Sequence, residues 1–165
     1  MLFMRGMPLT GSNIGQSNAV KPADIHAVQP LAADGDRIRT LAIDDDEVFL
    51  SLLKELLEPF GVDIKAVTNP VKALEIFTQE KDNFPLVLLD YYMPQLDGAR
   101  TFECLKKLNP NVKVIIVSST DELRLRRLLA RYPMDGFIRK PFRIRAAVEV
   151  IRYVMTMTGA KPVAH

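Results

Sequence analysis

The chain is poor in the features that mark secreted or membrane proteins. It has one cysteine, Cys104, which rules out an internal disulfide framework and a cysteine-based metal cluster. No apolar run approaches the length of a membrane-spanning helix. The opening residues MLFMRGMPLTGSN hold neither a sustained apolar stretch nor a small-residue cleavage site, which argues against a secretory signal. There is no internal repeat and no low-complexity tract, and no G-x-G-x-x-G follows the first strand-like run, so a dinucleotide-binding domain is set aside. A cytoplasmic protein is the expectation.

What is present suits one ordinary domain. Apolar residues make up 48% of 165, enough for a substantial core. The net charge is only +2 but is unevenly placed: from Glu122 to Arg152 there are nine Lys/Arg against three Asp/Glu. Residues 1–36 scatter Gly, Ser, Asn, Pro and Ala without a period and read as a flexible N-terminal arm. Residues 37–158 form the expected domain, and 159–165 a short tail.

Within the domain, strand and helix signals alternate. RTLAI (39–43) is a buried-strand run. In the helix that follows, EVFLSLLKELLEPF places Val48, Leu52, Leu53 and Leu56 on one predicted face. VDIKAV (62–67) reads as a strand. Asn69 and Pro70 open a helix predicted to bury Val71, Leu74 and Phe77 or near neighbours. Strands FPLVLLD (84–90), VKVIIVS (112–118) and GFIRK (136–140) then alternate with helices over 98–108, 122–131 and 143–157. This order predicts a doubly wound α/β domain: five parallel strands with helices on both faces.

Such sheets bind ligands at the carboxyl ends of their strands, where strand order reverses. Here the first strand ends at Asp44 and Asp45, the third at Asp90, the fourth at Ser118 and the fifth at Lys140. Three carboxylates, a hydroxyl and an ammonium on one rim suit phosphoryl transfer onto a carboxylate, with Mg²⁺ held by oxygen ligands. Asp46, next in line, is free to cap the first helix, with Glu47 in its favourable first turn.

The segments IDDDE, LVLLDYYMPQLDG, IIVSST and GFIRKPF, in that order and spacing, resemble the response-regulator receiver domain, the CheY-like family of two-component signalling, over about Arg37 to Thr158. The resemblance implies a flavodoxin/CheY-like fold and a role for each matching residue. Asp90 is the implied phosphoacceptor. Asp45 is the implied direct metal ligand, Asp44 a ligand through water, and the Tyr92 backbone carbonyl a further Mg²⁺ contact. Ser118 matches the switch hydroxyl, Lys140 the lysine that neutralises the phosphoryl group, and Phe137 the aromatic switch. Lys140-Pro141 matches a peptide bond that is typically cis in this family. Two departures stand out: Tyr92 is bulkier than the polar residues common there, and Phe137 lacks the hydroxyl of the commoner tyrosine.

The expected function is therefore a stand-alone receiver, a phosphoacceptor module rather than an enzyme. The residues after the last helix, GAKPVAH, are too few for an output domain. The alternative is that the chain is a receiver fragment of a larger regulator. The resemblance implies a histidine kinase or phosphotransfer protein as donor. Output is expected at Arg124, Arg127, Phe137 and Arg145, on the face of the fourth helix, fifth strand and fifth helix, toward a downstream protein or a second copy. No membrane contact is expected. An arginine-rich helix (122–131) leaves nucleic-acid binding as a further alternative, but no recognition motif accompanies it. An aspartate-nucleophile phosphatase would want an acid two residues after Asp90, where Tyr92 stands.

Overall fold

The computed structural model describes residues 29–31, 36–94 and 96–157. Most of the expected arm, 1–28 and 32–35, and the tail over 159–165 lie outside the described residues. The strands are β1 (Ile38–Ile43), β2 (Val62–Val67), β3 (Leu86–Asp90), β4 (Lys113–Ser118) and β5 (Gly136–Arg139). The helices are α1 (Glu47–Leu57), α2 (Pro70–Glu80), α3 (Gly98–Leu108), α4 (Glu122–Leu128) and α5 (Ile144–Thr156). All pairings are parallel, in the order β2-β1-β3-β4-β5. The order reverses between β1 and β3, so the crevice at their carboxyl ends is the ligand-binding position of this topology.

Helices cover both sheet faces, and alternate strand residues feed two separate core layers. Ala42, Ile64, Leu88, Ile115 and Val117 pack with Leu50, Leu53 and Leu57 of α1 and Ala147, Val148 and Ile151 of α5. Leu41, Ile43, Val87, Leu89, Val114 and Ile116 pack with Phe77 of α2, Phe102 and Leu105 of α3, and Leu125 of α4. β3 is central and entirely buried, which is why it reads as an unbroken apolar run until Asp90.

The buried face of α1 differs from the predicted one. Leu50, Leu53 and Leu57 are buried, whereas Val48 and Leu52 are 78% and 50% exposed and Leu56 is half-buried. Two apolar stripes at helical spacing share Leu53, so periodicity alone does not choose between them. In α2 the buried set is Pro70, Ala73 and Phe77, and Val71 faces solvent. Here the small Ala73 takes the sheet-facing position that a bulkier neighbour was expected to fill. The fourth helix closes at Leu128, three residues before the predicted end, with Leu129 as its cap. Pro133 follows and disfavours helical backbone at the residue before it.

Residues 29–31, assigned above to the arm, are seated on the domain. Leu31 N–H donates to the Phe60 carbonyl at 2.8 Å, and Leu31 packs on the α1–α5 layer. The Arg152 guanidinium donates to the carbonyls of Gln29 (2.6 Å) and Pro30 (3.3 Å).

Candidate functional site: an acidic crevice at the switch point

The consecutive aspartates divide their work as the chain leaves β1. Asp46 is the N-cap of α1, its Oδ1 accepting from Phe49 N–H at 2.9 Å. Asp44 is buried, and its Oδ1 accepts from Asp46 N–H at 3.0 Å. Asp45 is exposed at the mouth of the crevice. Asp90, buried at the end of β3, accepts from Tyr92 N–H through Oδ2 at 2.9 Å. Single oxygens of Asp44, Asp45 and Asp90 lie within 4.8 Å of one another.

Lys140 enters from the end of β5. Its Nζ donates to Asp44 Oδ2 at 2.6 Å and to Asp90 Oδ1 at 3.1 Å, and the Lys140-Pro141 peptide is cis. Three carboxylates against one ammonium leave the cluster anionic, and the donor set is all oxygen. That set fits a hard divalent cation such as Mg²⁺ and not a site for zinc, which favours nitrogen and sulfur.

The electrostatics follow from burial and these contacts. Burial pushes the Asp90 carboxyl above its ordinary range; Lys140 opposes this, while the charge on Asp44 adds to it. Burial alone would lower the Lys140 ammonium, but the hydrogen bond it donates to Asp44 and the charge on Asp90 outweigh it and hold the group above its usual value.

The other sequence-derived positions lie around this centre. Ser118 is fully buried; its Oγ accepts from Thr120 N–H at 3.2 Å and its carbonyl accepts from Lys140 N–H at 2.9 Å. The last bond extends the β4–β5 ladder and places the Ser118 hydroxyl and Lys140 at adjacent strand ends. Phe137 is half-buried against the layer containing Leu125 and Leu129. Tyr92 is 55% exposed and meets Tyr91 edge-on, with ring centroids 5.1 Å apart. Arg124, Arg127 and Arg145 are exposed and lie outside the crevice cluster.

Three further features shape the site and its surroundings without having been assigned a role from the sequence. The Phe49 ring lies under the Lys140 ammonium, 4.2 Å from centroid to Nζ. Gly98, at the start of α3, sits against Tyr91: a Cβ there would lie 2.5 Å from the Tyr91 carbonyl oxygen. Only glycine allows this approach, which fixes the loop after Asp90. At the opposite end of the sheet, Asp135 accepts from Lys106 (2.6 Å), Lys113 (3.0 Å) and Val114 N–H (3.0 Å), tying α3, β4 and the entry to β5 together.

A buried acidic pair bridged by a lysine, at the switch point of a five-stranded parallel sheet, defines the class of phosphoacceptor signalling modules. Comparison with known proteins gives the family. The sequence profile described as response regulator receiver domain matches residues 40–152. The chain is 32% identical over 122 residues to the transcriptional regulatory protein CpxR homolog of Haemophilus influenzae, covering 74% of this chain and 52% of that protein. It is 30% identical over 125 residues to the two-component response regulator ARR12 of Arabidopsis thaliana, covering 72% and 20% respectively. A solved CheY-like receiver domain protein of Methanospirillum hungatei superposes with a TM-score of 0.68 at 27% identity, over 74% of this chain and 96% of that one. The chain belongs to the response-regulator receiver domain family. It spans about half or less of the length of these curated relatives. Receivers accept a phosphoryl group on an aspartate with Mg²⁺ and interact with histidine kinases or phosphotransfer proteins. No helix among the described residues is long and apolar enough to cross a membrane.

Proposed function

We propose that Asp90 is the phosphoacceptor of this receiver and that Asp45, Asp90 and the Tyr92 carbonyl hold Mg²⁺, with Asp44 bound through water. The observation that carries this reading is the Lys140 ammonium shared between Asp44 and Asp90 beside a third carboxylate. Mg²⁺, when bound, neutralises the oxygens of the transferring phosphoryl group. An Asp90 carboxylate oxygen forms the new O–P bond as the P–N or P–O bond to the donor breaks, and the donor keeps that electron pair. Lys140 neutralises charge on the acceptor side, where pre-placed charge is most effective. The module assists its own phosphorylation and dephosphorylation and carries out no separate reaction.

Phosphate on Asp90 draws Ser118 toward it, and Phe137 turns into the space released. The shape change is read at Arg124, Arg127, Phe137 and Arg145, where exposed basic groups steer an acidic partner and the ring anchors it. That partner is a downstream protein, a second copy of the chain, or an output domain of the kind longer relatives have room for. A histidine kinase or phosphotransfer protein as donor, and with it a cytoplasmic location, complete the proposal. Incubation with a small acyl-phosphate donor and Mg²⁺, followed by intact-mass measurement, tests it: the adduct is expected on the wild-type chain and not on Asp90→Asn.

A further inference from the structure

Phe49 has no part in the metal or phosphoryl chemistry assigned above, yet it touches the ammonium that chemistry depends on. It lies in the first turn of α1, where its N–H is held by the Asp46 cap. Its ring centroid stands 4.2 Å from Lys140 Nζ, well inside the range at which a ring face attracts a cation. Phe142 braces the ring edge-on, with centroids 6.1 Å apart and planes at 87°. Phe49 and Phe142 also line a groove of about 410 Å³ beside Lys140, together with Leu52, Leu56 and Pro141. The ring is thus held on two sides, by a capped helix turn and by a second aromatic.

The ammonium has three N–H donors, and Asp44 and Asp90 accept from it here. A carboxylate partner holds Lys140 by taking up a donor that a phosphoryl oxygen would otherwise use. A ring face holds the cation through its quadrupole and competes less directly for those donors. An aliphatic side chain in the same place would exclude water equally well but attract the cation far less. Lys140 has a flexible stem and is only partly buried, so a fixed partner on its groove side limits where its charge can go.

We propose that Phe49 is a positioning residue for phosphoryl transfer, its ring face holding the Lys140 ammonium over the Asp44–Asp90 pair. This rests on the reading that Lys140 meets the phosphoryl group on Asp90. The ring ties the rate of phosphorylation to a residue of α1 that contacts neither metal nor phosphate.

The test replaces Phe49 in the full chain with mono-, di- and trifluorinated phenylalanine, which drain the ring face of electron density at nearly constant shape. Phosphorylation by a small acyl-phosphate donor with Mg²⁺ is followed by intact mass. The rate is expected to fall stepwise with fluorine content, by roughly three- to tenfold in all. Phe49→Trp should retain the rate and Phe49→Leu should match the trifluorinated protein. In a Lys140→Ala background the series should be flat, since the coupled partner is gone. A flat series in the wild-type background, with full adduct on Asp90, would overturn the role of Phe49 and leave the phosphoacceptor standing. Absence of adduct from the unmodified chain would overturn both.

Discussion

Lys140 is held more closely by Asp44, at 2.6 Å, than by the proposed phosphoacceptor Asp90, at 3.1 Å. The nearer partner of the lysine is thus the residue that follows β1, and the farther one ends β3. On the proposed reading, phosphorylation of Asp90 would make that side the stronger attractor and draw the ammonium toward it. Lys140→Ala is accordingly expected to be phosphorylated still, at a reduced rate, but to lose phospho-dependent partner binding. Normal binding by phosphorylated Lys140→Ala would remove Lys140 from the switch.

The anionic crevice is expected to bind Mg²⁺ weakly, because it is open and offers few protein ligands. At ten times its dissociation constant the ion should stabilise the fold by about 1.4 kcal/mol, seen as a rise in melting temperature. Asp45→Ala should abolish that rise while leaving the metal-free melting temperature close to wild type, since Asp45 is exposed. An undiminished rise in Asp45→Ala would place the cation elsewhere.

Much of this site is legible in the sequence because its polar groups stand at strand ends. Asp44, Asp90 and Ser118 stand at the ends of buried strands, Lys140 follows the short β5, and parallel topology brings those ends to one rim. Asp46 is legible too, as a capping residue before a helical period. The sheet-facing side of α1 is not, because both of its apolar stripes satisfy the same spacing. Phe49 over Lys140 and Asp135 between Lys106 and Lys113 are also hidden from a linear reading. Each joins residues from elements far apart in the chain, and only packing sets the distance.

Gly98→Ala forces a contact in the loop that follows Asp90, since the new methyl would meet Tyr91 backbone at 2.5–2.6 Å. A cost of about 1–3 kcal/mol in stability is expected from such overpacking. Because the Tyr92 carbonyl is a proposed ligand, Mg²⁺ affinity should fall as well. Calorimetric Mg²⁺ titration of Gly98→Ala at wild-type strength would show that this loop does not carry a ligand.

Tyr92 lies two residues after Asp90 and is proposed to shield the phosphoryl group from an in-line water. Tyr92→Asn should shorten the lifetime of the acyl phosphate, by roughly tenfold if water alignment is what the ring prevents. An unchanged dephosphorylation rate would dismiss the shielding role.

Asp135 should matter for stability and not for phosphorylation. Burial would raise its carboxyl, but hydrogen bonds from Lys106, Val114 N–H and Lys113 outweigh that and hold it below the ordinary carboxylate range. A depressed carboxyl stabilises the fold fully above its unfolded value, and the contribution is lost as pH falls through the folded one. Asp135→Asn should cost about 2–4 kcal/mol at neutral pH, leaving Lys106 buried without its counter-charge. The deficit should narrow in urea melts taken below pH about 4. A deficit that stays constant there would mean the charge on Asp135 is not what holds the clamp.

Arg124 and Arg127 test the output face separately from the chemistry. Alanine at both should weaken phospho-dependent association at least severalfold, mainly through slower encounter, while phosphorylation proceeds normally. Unchanged partner or self-association would move the output surface away from α4.

The central claim is that Asp90 receives the phosphoryl group, and borohydride trapping addresses it at the level of the atom. Hydride reduces an acyl phosphate to the alcohol, so a phosphorylated aspartate is converted to homoserine. After incubation with donor and Mg²⁺, peptide sequencing by mass spectrometry should find homoserine at position 90 and at no other aspartate. Homoserine at Asp44, Asp45 or another position, with residue 90 unmodified, would contradict the account.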